Sequence, residues 1–374
     1  MYYDPYLKID RARMEEAVNA REPDRAALAA AREHPSFEDF LALLSPGAAG
    51  CLDAMALRAR AITRQHFGRT IGMYIPLYLS NECSNECVYC GFNRSNRIQR
   101  RTLSEAEVER ELEALADQGF DSILLLTGEA PGRAGLDYLA RCVALARRCF
   151  SQVALEIYPL DTDGYRRLVE AGATGLTLYQ ETYDPAVYAQ VHRAGRKADF
   201  RWRLEAPDRA ALAGFRRIGI GALLGLAPWR LEAANLGAHA AYLMKTYWRT
   251  EVSVSFPRLR ECPSTFRPQC LVTDRELVQM LFALRIFTRV AGIALSTRES
   301  PRFRDHMVTL GVTHMSAGSR TNPGGYRTYS ERESQNQFEI SDDRSLAEVL
   351  TAIRAQGSQP VFKDWAASFG GVRP

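Results

Sequence analysis

The sequence predicts an α/β fold: a (β/α)8 barrel of TIM type with an N-terminal helical cap and a C-terminal extension. Two observations carry this. Short apolar runs rich in Val, Ile, Leu and Tyr recur between residues 72 and 319, and longer helical patterns separate them. Strands alternating with helices imply parallel pairing through right-handed crossovers. The runs are GMYIPLYLS, SILLLTGE, VALEIYPL, GLTLYQETY, RIGIGALLG, VSVSFPRL, GIALSTRE and VTHMSAGS, and eight repeats are the number that closes a barrel. An open doubly wound sheet is the alternative architecture.

Taken in order, residues 1–70 read as helical, because DRARMEEAV, DRAALAAAREH and GAAGCLDAMALRARAITRQHF mix apolar and charged faces. Residues 71–318 hold the barrel. Its first crossover helix is written in TLSEAEVERELEALADQGF: Ser104 and Glu107 form a capping box, Val108, Leu112 and Leu115 share a face, and Gly119 ends the helix. No Pro/Gly/Ser-rich linker or strong repeat divides the chain, so residues 319–374 are expected to fold back onto the barrel.

Charge excludes several classes. The 48 basic and 44 acidic residues are interspersed and leave a net charge of +4, which points to neither nucleic acid nor a membrane surface as partner. Nearly all the bases are Arg, with Lys only at Lys8, Lys197, Lys245 and Lys363; these scattered charges are expected on a solvated face. The N-terminal MYYDPYLKIDRARMEEAV lacks the apolar core of a signal peptide, and no long apolar span follows, so a cytoplasmic location is expected. Cysteines spread over such a chain are not expected to form structural disulfides. Cys142 and Cys149, one heptad apart in a helical pattern, are expected to pack as buried thiols.

Three cysteines stand apart. Cys83, Cys87 and Cys90 lie in CSNECVYC, at C-x3-C-x2-C spacing, directly after the first strand, where barrels of this kind place their chemistry. Thiolates at such spacing select zinc or iron–sulfur clusters, and closed zinc sites need four protein ligands. Three thiolates on a cubane leave one iron open to a small chelating molecule. The alternatives are a zinc site completed by Cys262 or Cys270, or three unconnected thiols.

With this loop, and with Tyr89 just before its last cysteine, the chain resembles the radical S-adenosylmethionine (SAM) enzymes. That resemblance implies a [4Fe-4S] cluster whose open iron is chelated by the amino and carboxylate groups of S-adenosyl-L-methionine, which one electron then cleaves to a 5′-deoxyadenosyl radical. It further implies that Thr127, Gly128 and Glu129 lie near the methionine amino group, that GIGALLG at residues 219–225 lies near adenine, and that Arg203 meets the methionine carboxylate. A finer resemblance, to the tyrosine lyases of anaerobic thiamine biosynthesis (the 2-iminoacetate synthases), runs through LYLSNECSNECVYCGFNRSNRI, LYQETYDPAVY, WRLEAPDRA, VSFPRLR, LSTRESPRFRD, NPGGY and PVFKDW. It implies cleavage of the Cα–Cβ bond of L-tyrosine to 2-iminoacetate (dehydroglycine) and p-cresol. It also implies delivery of that product to a thiazole synthase, a reducing flavodoxin or ferredoxin, and cofactor contacts from Gln180 and Glu181.

Strand alternation places Ala294, Ser296 and Arg298 on one face, Tyr74 and Tyr78 on another, and His314 with Ser316 on a third. Arginine offers a planar fork for an amino-acid carboxylate, so Arg298 is expected to point into the mouth; the resemblance adds Tyr78 and Ser316 as substrate residues. Tyr78 also reads as packing, His314 as a satisfied core histidine, and Arg258 and Arg260 as either anion ligands or salt-bridge partners. A tryptophan lyase remains compatible, as does, from another class, a non-catalytic metal-binding scaffold. A tyrosine lyase of hydrogenase maturation would need cysteines for a second cluster, and none follows Cys270.

Overall fold

In a computed structural model, which describes residues 1–260, 266–329 and 336–363, eight parallel strands close into a barrel. They are β1 (Thr70–Ser80), β2 (Ser122–Thr127), β3 (Gln152–Glu156), β4 (Gly175–Thr177), β5 (Arg217–Gly221), β6 (Glu251–Ser255), β7 (Gly292–Leu295) and β8 (His314–Ser316). Each pairs with the next, and β1 pairs with both β2 and β8, which shuts the ring. Each overlaps one of the eight predicted apolar runs, with β1, β3 and β6 starting one or two residues before theirs. The open-sheet alternative is thereby set aside.

Every strand but β1 is shorter than its run, because the run continues past the barrel into the loop that carries chemistry. β4 stops at Thr177, although Leu178 and Gln180 still donate to the Gly219 and Gly221 carbonyls and Glu181 bridges to Ala222. Between Tyr78 and Ser80 the register of β1 against β2 shifts by one residue, turning the chain out toward the cysteine loop, as bulges at barrel rims do. The crossover helix Glu105–Asp117 has its capping box, with Ser104 and Glu107 each bonding the other's backbone N–H, and it buries Val108, Leu112 and Leu115. The following Gly119 has φ +91°, a conformation that glycine adopts without a Cβ penalty.

The N-terminal helices Arg11–Asn19, Phe37–Leu44 and Leu52–Phe67 pack on the outer helices Trp229–Thr246 and Asp274–Thr288. Phe40 stacks on Phe287 with ring centres 4.6 Å apart, and Gly237 is what lets it in: a Cβ there would stand 2.3 Å from the Phe40 ring. Gln279 Nε2 donates to the carbonyls of Leu43 and Ser45. These contacts fix the helical region against the barrel's side and leave the strand C-termini open.

Past β8 the chain crosses the mouth, where Tyr326 donates its hydroxyl hydrogen to the Pro76 carbonyl at 2.6 Å. It then runs through the helix Leu346–Ala355 to β9 (Gln359–Val361), which pairs with the first residues of β1 at the opposite end. Sequence reading did not anticipate β9. Two further expectations change: Cys142 is buried but Cys149, the last residue of its helix, is exposed, and Lys197 is part-buried in an ion pair with Glu181 at 2.8 Å. Cys262 and Trp365 lie outside the described residues. Among the described residues no helix is long and apolar enough to cross a membrane.

Candidate active site

The cysteine loop sits on the C-terminal rim and is held from three sides. Ser84 donates from its backbone N–H and its hydroxyl to the Glu129 carbonyl, both at 2.8 Å, and Asn85 Nδ2 donates to Glu129 Oε2 at 2.7 Å. The end of β2 is thus fastened to the loop after β1. Gly128 has no alternative there, since a Cβ would lie 2.3 Å from the Glu82 carbonyl oxygen. On the second side Cys87 bridges to His192, and Val88 N–H donates to the Val191 carbonyl. On the third, Gln337 from the C-terminal segment donates to Cys90 Sγ at 3.6 Å and accepts from the Tyr78 hydroxyl at 2.7 Å.

The three sulfurs lie near enough for their charges to be felt by one another. Burial pushes the Cys87 thiol up to about 12 and the Cys90 thiol up to about 11, with Lys197 opposing both shifts. Neutral thiols are what such burial favours until a bound metal draws off the protons. Among the described residues no three His, Cys, Asp or Glu side chains converge to hold a single ion. A cubane cluster would take each of the three thiolates on a separate iron.

Beside the loop lie polar atoms that the protein does not satisfy. Thr127 Oγ1, Glu129 Oε1 and Gln180 Oε1 are buried and lack any hydrogen-bond partner, and among the described residues Glu129 and Gln180 supply the only buried carboxyl or carboxamide oxygens in that state. Such atoms cost about 1–3 kcal/mol each when left unpaired. All three belong to residues anticipated as cofactor contacts, and such oxygens are suited to accept from an ammonium or from ribose hydroxyls. A cluster with an amino-acid-bearing chelator fits these residues.

Glu181 adopts φ +74°, rare for a non-glycine residue and characteristic of functional sites. The turn it makes lets its carbonyl accept from Leu223 N–H at 2.8 Å, joining the loop after β4 to that after β5. Burial alone would raise its carboxyl, but Lys197 and Arg203 hold it below the usual carboxylate range. Arg203, on the short helix Phe200–Leu204, donates to the Tyr179 carbonyl at 2.7 Å and stands 3.6 Å from Glu181. Tyr89 contacts His192 Nε2 through its hydroxyl at 2.8 Å. Burial, with Lys197 and Arg203, lowers that imidazole to about 2; it is neutral, its Nδ1–H is given to the Tyr188 carbonyl, and Nε2 accepts from Tyr89.

Deeper in the mouth, Tyr78, Ser316 and Arg298 line one cavity with Tyr74, Tyr179 and Glu156. Ser296 and Thr297 line it too, so strict alternation stops at the end of β7 and the loop itself carries Arg298 to the cavity. The Arg298 guanidinium lies 3.4 Å from the centre of the Phe338 ring, and no carboxylate among the described residues pairs with it. Ser316 is set by Arg304, a buried side chain that donates to the Ser316 carbonyl and pairs with buried Asp342. Arg258 and Arg260 resolve as salt-bridge partners of Glu299. His314 is bonded to Thr313 Oγ1 at 2.9 Å and lines a different cavity, at the other end of the barrel.

That lower cavity is of similar size, ≈ 90 Å³ against ≈ 60 Å³, so chemistry rather than volume distinguishes them. Glu156, Tyr179, Lys197 and Gln337 were missed as site residues. Only Lys197, one of four lysines in an arginine-rich chain, carried a visible signal.

Comparison with known proteins agrees with this geometry. Residues 77–233 match the Radical SAM superfamily, and residues 255–359 the Biotin and Thiamin Synthesis associated domain. The chain is 45% identical over 352 residues to the 2-iminoacetate synthase of Salmonella typhimurium strain LT2, covering 94% of this chain and 92% of that one. It is 46% identical over 335 residues to that of Escherichia coli K12, covering 89% and 88%. Among solved structures it is similar to HydG, a maturase of the [FeFe]-hydrogenase, with a TM-score of 0.88 at 30% identity over 96% of this chain and 81% of that one.

Proposed function

Because the chain belongs to the 2-iminoacetate synthases of the Radical SAM superfamily, we propose that it cleaves the Cα–Cβ bond of L-tyrosine, giving 2-iminoacetate and p-cresol for thiamine thiazole formation. The observation that carries this reading is the pairing, at one mouth, of a three-cysteine loop with an arginine that no carboxylate among the described residues pairs, over a separate cavity. Cys83, Cys87 and Cys90 would hold a [4Fe-4S] cluster. Thr127, Glu129 and Gln180 would bind S-adenosyl-L-methionine through the oxygens that lack partners, Gly128 would let that strand end approach, and Tyr89, Glu181 and Arg203 would frame the same molecule. When bound, the reduced cluster and S-adenosyl-L-methionine supply the radical that removes one hydrogen atom from the substrate.

The protein's own contribution is selection of the bond. Arg298 fixes the tyrosine carboxylate through its fork, while Ser316 and Tyr78 bracket the amino acid so that nitrogen, rather than the weaker benzylic C–H, faces the radical. Positioning at this level is worth orders of magnitude in rate. Tyr78 is held by Gln337, which also bonds Cys90, so the substrate wall and the cluster loop share one support. A low-potential flavodoxin or ferredoxin is the proposed electron donor, and a thiazole synthase the proposed acceptor of the hydrolysis-prone product.

The test is anaerobic reconstitution with iron and sulfide, followed by product analysis with S-adenosyl-L-methionine, a reductant and either tyrosine or tryptophan. The proposal expects p-cresol and 5′-deoxyadenosine in equal amounts from tyrosine. Turnover of tryptophan with none of tyrosine overturns the substrate, and absence of an iron–sulfur absorption band overturns the cofactor.

A further inference from the structure

Glu156, the last residue of β3, is the only acid among the described residues lining the cavity of Tyr78 and Arg298, and Arg298 is the only base. β3 and β7 lie four strands apart in either direction around the ring, so the two charges face each other across the barrel. Glu156 pairs in register with Leu126, as does Tyr78 from the other side, which sets it level with the tyrosine wall. No hydrogen bond or ion pair from the described residues occupies its carboxylate. An amino acid carries its carboxylate and amino group on one carbon. A residue opposite the carboxylate anchor therefore meets the far end of the side chain, and in tyrosine that end is the phenol.

We propose that Glu156 accepts the phenol proton of the substrate as the Cα–Cβ bond breaks, and returns it to the same oxygen when p-cresol forms. This rests on the tyrosine-lyase reading. After a hydrogen atom has left nitrogen, one electron of the Cα–Cβ bond pairs with the electron on nitrogen to make the C=N bond of 2-iminoacetate. The other stays on the benzylic carbon. With the phenol proton on Glu156, the departing fragment is a 4-oxidobenzyl radical anion, whose charge and spin spread over ring and oxygen. One electron from the low-potential donor and one solvent proton complete the methyl group, and the Glu156 proton goes back to oxygen, restoring the carboxylate.

The surroundings suit a base for so weak an acid. Around Glu156 stand Tyr74 and Tyr78 on β1, Tyr179 and Glu181 after β4, Lys197 and Arg203 from the segment beyond, and Arg298 after β7. Burial and then the Glu181 charge lift its carboxyl to about 7, against the pull of Arg298, Lys197 and Arg203. A base in that range is better matched to a phenol than an ordinary carboxylate is. The accepting form is present above about pH 7 and lost below it.

The experiment compares the reconstituted wild type with Glu156→Gln, each given tyrosine and 3,5-difluorotyrosine, whose more acidic phenol is already ionised at the working pH. The variant should keep its cluster and bind tyrosine within about threefold by calorimetry, while p-cresol formation falls by about 10²–10⁴-fold. The wild-type rate should rise with pH through about 7, and that rise should vanish in the variant. Difluorotyrosine should restore most of the lost rate. A variant as fast as wild type, or a loss that difluorotyrosine leaves uncorrected although the wild type turns it over, overturns the role of Glu156 alone. Failure of the wild type to make p-cresol from tyrosine removes the lyase reading and this proposal with it.

Discussion

The two ends of the barrel are built from the same eight strands and enclose cavities of similar size, yet only one end is chemically unfinished. At the lower end small residues such as Gly72, Ala154 and Gly219 line the space, His314 is bonded by Thr313, and β9 lies along β1. At the mouth Thr127, Glu129, Gln180 and Ser319 each bury an oxygen that nothing among the described residues bonds, and none of those residues gives the Arg298 guanidinium a carboxylate. Burial of a polar group does not by itself mark a site. Glu111 is fully buried, but it accepts from the backbones of Tyr326, Arg327 and Thr328 and from the Thr328 hydroxyl; it pins the C-terminal segment. Glu129 is nearly as buried and keeps one oxygen open. For these two carboxylates the difference lies in satisfaction: Glu111 spends its oxygens on the scaffold, and Glu129 keeps one for a ligand.

Substitutions can break that comparison. The largest effect is expected from Cys87→Ala, which should abolish cluster assembly and cleavage of S-adenosyl-L-methionine while the circular dichroism of the barrel is preserved; any 5′-deoxyadenosine formation would contradict it. Next comes Asp342→Ala, which strands the buried Arg304 charge and should cost about 3–5 kcal/mol in denaturant unfolding. A smaller and more telling change is Gln180→Leu. If its open oxygen serves a ligand, S-adenosyl-L-methionine should bind roughly tenfold more weakly while the unliganded protein is as stable as before or more so, since an unmet polar group costs about 1–3 kcal/mol. Equal affinity with lost stability would place Gln180 in the scaffold. Smallest of all should be Ser253→Ala in the lower cavity, where both stability, within about 0.5 kcal/mol, and p-cresol formation should stay at wild-type levels.

The sequence made the barrel and the cluster loop legible for physical reasons. Buried parallel strands must be apolar throughout, so the eight runs stand out against the helices, and a thiol triplet has few other uses. β9 was hidden because Gln359–Val361 is three residues long and contains Pro360; nothing in its pattern differs from a loop. Glu156 was hidden because a strand-end carboxylate looks the same facing water or facing a cavity. Gln337 is 247 residues from Cys90, and such pairing appears only once the chain has folded back. Cys149 departs from the packing expected of it because the helix ends there, so one heptad from a buried position it reaches solvent.

The substrate anchor is tested most directly by the ratio of p-cresol to 5′-deoxyadenosine across a tyrosine titration of wild type, Arg298→Ala and Arg298→Lys. Truncating one partner of a desolvated charge pair loses about 2–5 kcal/mol, so Arg298→Ala should bind tyrosine more than about tenfold more weakly. Its cluster content should be unchanged, and 5′-deoxyadenosine should appear without matching p-cresol as the amino nitrogen drifts from its place. Arg298→Lys, with charge but no fork, should fall between. Wild-type affinity and a wild-type ratio in Arg298→Ala would show that this arginine serves the scaffold and that the mouth does not hold its substrate by the carboxylate.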